Sequence, residues 1–179
     1  MVNTTKWVID PTHSDVQFKI KHLVISNVTG SFRTFEGTIL TQGADFNNAK
    51  VNFTIDVKSI DTNQAQRDGH LQTGDFFAAD LHPRITFEST SFVNITDNDY
   101  KMKGNLTLRG VTKPIELNVE YGGSEDNGHG ILKHGFEVTG IVNRMEFGMT
   151  WNKLTDTGGF GLGENIKLIA NIQVAESVE

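Results

Sequence analysis

Residues 51 to 58 read VNFTIDVK, with Val51, Phe53, Ile55 and Val57 on one side of the stretch and Asn52, Thr54, Asp56 and Lys58 on the other. Successive side chains of an extended chain point to opposite faces, so this two-residue period predicts a strand with one dry face and one wet face. The period recurs along the whole chain. Val16, Phe18 and Ile20 alternate with Gln17, Lys19 and Lys21, and Ile85 and Phe87 alternate with Thr86 and Glu88. Leu106 and Leu108 are followed by Ile115, Leu117 and Val119, then by Phe136 and Val138, and last by Ile166, Leu168, Ala170 and Ile172. Gly43, Asn47-Asn48, Asp97-Asn98-Asp99, Gly122-Gly123 and Asp126-Asn127-Gly128 separate these segments at hairpin distances. The pattern predicts about eight antiparallel strands. Only residues 62 to 80 have room for a helix, and Gly69 and Gly74 weaken it.

With almost no helix to cover them, the apolar faces must bury one another, as a sandwich or as a barrel. Strands of about ten residues are about 33 Å long, and eight of them tilted in a barrel enclose room for one small ligand. The inward set is Phe, Val, Ile and Leu, so that ligand would be apolar. Periodicity alone leaves the sandwich open.

Bulk properties narrow the function. The 179 residues make one domain, 1–179, long enough for a sizeable core. Net charge is −6, from 16 basic and 22 acidic side chains without runs, which argues against a nucleic-acid surface. Cysteine is absent, which excludes disulfides, thiolate metal sites and cysteine nucleophiles. The start, MVNTTKWVIDP, is not a signal peptide, and no segment approaches the ~18 apolar residues of a membrane span. The expectation is a soluble, unexported, cytoplasmic protein.

Four ordered blocks carry a resemblance over nearly the whole chain. WVIDPTHSDVQFKIKHL (7–23) followed by VTGSFRTFEGTI (28–39) resembles the amino-terminal block of the YceI family of lipocalin-like polyisoprenoid-binding proteins. RDGHLQTGDFFAADLHPRITFES (67–89), GNLTLRGVTKPIEL (104–117) and VNRMEFG (142–148) are similar to its later blocks. The resemblance implies an all-β, eight-stranded antiparallel lipocalin-like barrel with a short helical insertion, holding a long isoprenoid chain inside. The chain departs from the family where members commonly carry an Asp-Pro-Trp-Gly turn; here residues 122–138 read GGSEDNGHGILKHGFEV. Many members also bear an export signal, which this sequence does not show.

On this reading the lipid contacts are Phe18, Ile20, Phe53, Ile55 and Phe87, then Leu106, Leu108, Leu117, Val119, Phe136 and Val138. Phe76, Phe77, Met149 and Trp151 add adaptable aromatic and thioether walls. Arg67, Asp68 and His70 lie on the helical insertion, where they would rim a portal that the Phe76-Phe77 pair closes; Arg144 is a further head-group candidate. The ligand expected is an isoprenoid lipid such as a polyprenyl phosphate or a quinone tail, with no cofactor and no metal. Partners follow from that: transient membrane contact for lipid exchange, no nucleic acid, and a homodimer left open. The competing readings are a fatty-acid or amide binding stress-response protein, an isoprenoid-modifying enzyme, and a protein-interaction module with a packed core.

Other constellations have structural readings. His70 and His82 with Asp68, Asp75 and Asp80 lack the spacing of a metal motif, and Arg67 and Asp68 are expected to pair and cap the insertion. Thr12-His13-Ser14-Asp15 follows an Asp-Pro turn, and adjacent strand residues cannot converge as a triad. GGFGLG (158–163) precedes a strand and reads as a hairpin loop rather than a nucleotide site. Asn-x-Thr sequons at Asn3, Asn27, Asn52, Asn94 and Asn105 read as wet strand faces and turns. Arg144 and Glu146 are expected to form an ion pair at a barrel end.

Overall fold

The computed structural model describes residues 3–153 and 161–178. Eleven strand segments follow in order: β1 (Thr4–Ile9), β2 (Asp15–His22), β3 (Ser26–Phe32), β4 (Phe35–Gln42), β5 (Lys50–Asp56), β6 (Ile60–Asp61), β7 (Arg84–Thr96), β8 (Asp99–Leu108), β9 (Val111–Asp126), β10 (Leu132–Asn143) and β11 (Leu162–Glu176). Among the described residues one α-helix, α1 (Ala65–Leu71), stands between β6 and β7.

The eleven segments make eight staves. Both β1 and β2 pair antiparallel with β11, so they are one stave broken by the 3-10 turn Pro11–His13. Likewise β3 pairs β2 while β4 pairs β1, and β6 pairs β3 while β5 pairs β4. Strands β7 to β11 complete the ring, each antiparallel to its neighbour, and β1 against β11 closes it. The result is a closed eight-stranded lipocalin-like barrel, as the resemblance implies; the sandwich that periodicity left open is set aside.

Each break has a local cause. Pro11 offers no N–H to a ladder, and the Asp10 side chain accepts from the Thr12 N–H, which turns the chain. Hydrogen bonds from the Thr12 hydroxyl, Lys133 Nζ and His13 hold the Asp10 carboxyl well below the usual carboxylate range. Asp56 caps the Val57–Ser59 turn in the same way, so Val57, predicted to end a strand, is instead buried in a 3-10 turn. Asn143 does it a third time, ahead of the turn Arg144–Phe147.

Two expectations are corrected here. Gly122-Gly123 does not turn a hairpin but lies inside β9, where the register against β10 slips between Gly135 and Phe136. With Gly123 at φ +108, the pair forms a bulge that bends the strand. Of the glycine-rich GGFGLG, residues 158–160 lie outside the described residues, whereas Leu162 and Gly163 already belong to β11.

Antiparallel order sends the turns alternately to the two ends. One end carries the β2–β3 turn, α1, the β8–β9 turn at Arg109-Gly110, and the chain after β10. Arg109 stitches that end together, donating to the carbonyls of Phe76 (3.1 Å) and Gly148 (2.9 Å). The opposite end carries the β4–β5, β7–β8 and β9–β10 turns, and so the departing 127–131 segment sits as far from α1 as the barrel allows. There Trp7, Phe46, Tyr121, His134 and Phe136 pack in tilted and edge-on contacts with centroids 4.6 to 5.9 Å apart. That aromatic cluster plugs the lumen at its far end.

Candidate functional site

The barrel encloses a cavity of about 780 Å³ rather than a filled core. All fifteen residues expected to meet a lipid, from Phe18 and Ile20 through Val138 to Met149 and Trp151, line it. The pleat explains this, because the dry face of every stave can point only into the ring. Phe53, Ile55 and Val138 are partly rather than fully buried although they point inward. Their uncovered area faces the lumen.

The wall also holds residues beyond those fifteen: Val51, Ile85, Met102, Ile166, Leu168 and Ala170 among the apolar ones, and His22, Asn152 and Lys153 among the polar ones. The apolar ones carry the same two-residue period and are legible from it. His22, Asn152 and Lys153 have no sequence signal, because the approach of Lys153 and Gly161 to the end of β2 is a tertiary fact: Leu23 N–H donates to the Gly161 carbonyl (2.8 Å), and Gly161 N–H to that of Lys153 (2.7 Å).

The helical insertion closes the α1 end. Phe76 and Phe77 are buried and line the cavity, with Phe77 edge-on to Phe32 at 5.9 Å and Phe76 against Trp151 at 5.2 Å. His70 stands edge-on to both Phe76 (5.1 Å) and Trp151 (4.9 Å), while its Nε2 lies 2.8 Å from Asp75. This is an aromatic gate with a polar latch.

Arg67 and Asp68 behave differently from the ion pair expected. Both turn to Thr62, a buried residue just past β6: Arg67 donates from Nε to the hydroxyl (2.7 Å) and from Nη2 to the carbonyl, and Asp68 Oδ1 accepts from the Thr62 N–H and hydroxyl. Their geometry serves the backbone that leaves β6, whose hydrogen-bond needs outweigh a surface pair. Arg67 also reaches the cavity wall; Asp68 does not. The approach is close because Gly30 lies between, where a Cβ would sit 2.4 Å from the Phe18 ring and 2.9 Å from the Thr62 methyl.

Nor does Arg144 pair with Glu146. Only 1% exposed, it donates to the carbonyls of Gly163 (2.7 Å), Met149 (2.6 Å), Trp151 (2.8 Å) and Leu162 (3.4 Å). The 3-10 turn faces its guanidinium inward and leaves Glu146 exposed, so planar multidentate donation to backbone replaces the ion pair. Burial lowers its pKa from the ordinary arginine value, with Glu164 opposing; the group stays cationic. As a consequence the β11 start and the chain after Phe147 are clamped across the gate.

His70 and His82 do not converge, since the His82 ring packs on Gly110 at the β8–β9 turn. Among the described residues no three metal-ligating side chains come together. Among the described residues, the titratable groups that line the cavity are His22, Arg67, His70, Arg144 and Lys153, all basic.

A family model for the YceI-like domain matches residues 7–174. The chain belongs to the YceI-like family. A UPF0312 protein of Staphylococcus aureus is 38% identical over 174 residues, covering 97% of this chain and 99% of that one. A second, from Staphylococcus epidermidis, is 36% identical over 170 residues, covering 94% and 96%. Among solved structures, the YCEI protein of Campylobacter jejuni is 36% identical, with a TM-score of 0.74 over 90% of this chain and 91% of its own. BcnA of Burkholderia cenocepacia shares the fold at 21% identity and a TM-score of 0.78, covering 92% and 98%. A polyisoprenoid binding domain from Saccharophagus degradans shares it at 15% identity and 0.67, covering 96% and 98%. The YceI-like barrel is a binding-protein fold, and no helix among the described residues is long and apolar enough to cross a membrane.

Proposed function

We propose that this YceI-like protein binds a long isoprenoid lipid in its barrel without acting on it chemically, and carries or stores it. One observation carries the reading: an apolar lumen, plugged by aromatics at one end, ends at the other in a rim whose titratable groups, among the described residues, are all basic. An apolar chain fits the first and a polar or anionic head group the second. The fold likeness to a polyisoprenoid binding domain agrees with it.

Energetics suit a carrier. Each five-carbon isoprene gains roughly 4 kcal/mol on leaving water, at about 0.8 kcal/mol per carbon, before ordering costs. Relative to a bilayer the same transfer gains almost nothing. The protein would hold its lipid in water and yield it to a membrane. The non-catalytic part rests on engagement: Arg144 is spent on carbonyls, Arg67 on Thr62, and His70 on Asp75, while His22 and Lys153 stand at the mouth rather than deep in the lumen. Inside an apolar lumen that leaves little free to act as acid or base.

Mass spectrometry of organic extracts from protein purified from its own host is the test. An isoprenoid recovered in molar proportion supports the proposal; extracts holding only straight-chain fatty acids replace it with a fatty-acid binder.

A further inference from the structure

The turn between β2 and β3 is Leu23-Val24-Ile25, and it breaks two rules at once. Hairpin tips are normally polar, with Gly, Asn or Asp wherever φ is positive. Here Leu23 and Val24 hold φ of +53 and +65, strained for bulky and above all β-branched side chains, and Val24 and Ile25 are 79% and 85% exposed. Leu23 reaches the cavity wall, but Val24 does not repay that conformation by packing on the barrel. Three consecutive apolar residues on a protruding turn therefore answer to something outside the chain.

The position of the turn says what. His22 and Leu23 belong to the cavity wall, so the tip is the outer lip of the mouth that Trp151, at 36% exposure, borders from the other side. The charge around it is one-sided. Lys19 and Lys21 are exposed on β2, no carboxylate occurs between Val16 and Phe32, and Lys153 is held next to the tip through the Leu23–Gly161–Lys153 backbone bonds. Among the described residues, Glu164, exposed near the start of β11, opposes them, and Asp75 is held by His70 beside Trp151. A basic collar around an apolar tip stands out on a chain whose net charge is −6.

We infer that Leu23-Val24-Ile25 inserts into the interfacial layer of a lipid bilayer, with Lys19, Lys21 and Lys153 on its anionic head groups, and so presses the cavity mouth against the membrane. Interfacial anchors of this kind bury apolar side chains about 5–10 Å deep beside basic residues. The inference rests on the proposed lipid-binding function for its purpose, but its surface can be tested alone.

Flotation of the full chain with vesicles of phosphatidylcholine, with and without phosphatidylglycerol, tests it. Val24→Asn with Ile25→Asp keeps a residue suited to positive φ and removes the apolar tip, and it should lower the bound fraction on the order of tenfold or more. Lys21→Glu with Lys153→Glu should lower binding to the anionic vesicles alone, and added salt should do the same. The isoprenoid content of each preparation, measured beside it, should not change. Wild-type protein that stays off both vesicles, or a tip variant that binds as wild type does, overturns the inference. So does a tip variant that only dissolves a dimer, which would make the turn a self-association surface. Tip-dependent flotation of a barrel carrying no isoprenoid would uphold the docking surface and sink the proposed cargo.

Discussion

Asp68 Oδ1 accepts from both the N–H of Thr62, at 2.8 Å, and its hydroxyl, at 2.5 Å, so one carboxylate oxygen ties α1 to the chain that leaves β6. No strand ladder holds this segment, and segments outside ladders open at lower free energy than the barrel around them. Asp68→Ala leaves a buried N–H without a partner, a cost of about 1–3 kcal/mol. The expected outcome is a lower Tm, faster amide exchange over 62–71, and faster transfer of a fluorescent isoprenoid to vesicles. Asp68→Asn keeps an acceptor and should restore most of all three; equal transfer rates in the Ala variant would move the portal elsewhere.

The two phenylalanines of the insertion separate into gate and core. Phe76 meets the half-open His70 and Trp151, whereas Phe77 packs edge-on to Phe32 inside the barrel. Phe76→Ala should speed lipid exchange with modest loss of stability. Phe77→Ala should cost more, up to about 3–5 kcal/mol, because it removes the edge-on contact with Phe32 and widens the lumen, with a smaller effect on exchange. Stopped-flow transfer together with thermal melts checks both, and equal behaviour of the two variants would mean that the insertion moves as one body.

Much of the barrel and its lining is legible in the sequence, for a reason that particular residues show. Phe53 and Ile55 line the lumen because a period of two allows an apolar face one destination, and Phe76 and Phe77 close it from the insertion that interrupts that period. What periodicity cannot encode is which groups a fold brings together across sequence. Arg144 reads as a partner for Glu146 two positions away, yet its bonds run to carbonyls up to 19 residues on. Asp68 reads as a partner for Arg67, yet both serve Thr62. Gly122-Gly123 reads as a turn because glycine marks bulges and turns with the same letter.

Arg144 is the member of the site least tolerant of change. The carbonyls of Gly163, Met149 and Trp151 take the short bonds of its planar guanidinium, while that of Leu162 also accepts from Asn152 (2.7 Å), and removing the shared donor from buried surroundings strips several acceptors at once. Arg144→Met should cost about 3–5 kcal/mol, seen as a fall in the urea midpoint. Arg144→Lys should rescue little, since an ammonium cannot span the carbonyls of Met149, Trp151 and Gly163 together. A lysine variant as stable as wild type would show that charge, not the fork, is what the site requires.

The aromatic plug makes the far end of the barrel sensitive to acid. His134 is packed against Trp7 and Phe46, and its Nδ1 lies 2.7 Å from the Tyr121 hydroxyl. Burial lowers its pKa from the ordinary histidine value because the imidazolium loses its hydration there. In the tautomer that carries its proton on Nε2, Nδ1 accepts the Tyr121 O–H, and protonation puts a second donor where that hydroxyl points. The unfolded chain binds this proton more readily than the folded one. Stability from neutral His134 is thus fully present above about pH 6.5, the unfolded value, and is lost as pH falls toward the lower folded value. Thermal melts from pH 7.5 downward should show a decline in wild type that His134→Gln flattens, at some cost in Tm at neutral pH from poorer packing. The other five histidines remain in both proteins, so the difference between the two curves isolates this one. Parallel curves would show that His134 titrates as freely in the barrel as in the unfolded chain, and that the plug does not sense acid.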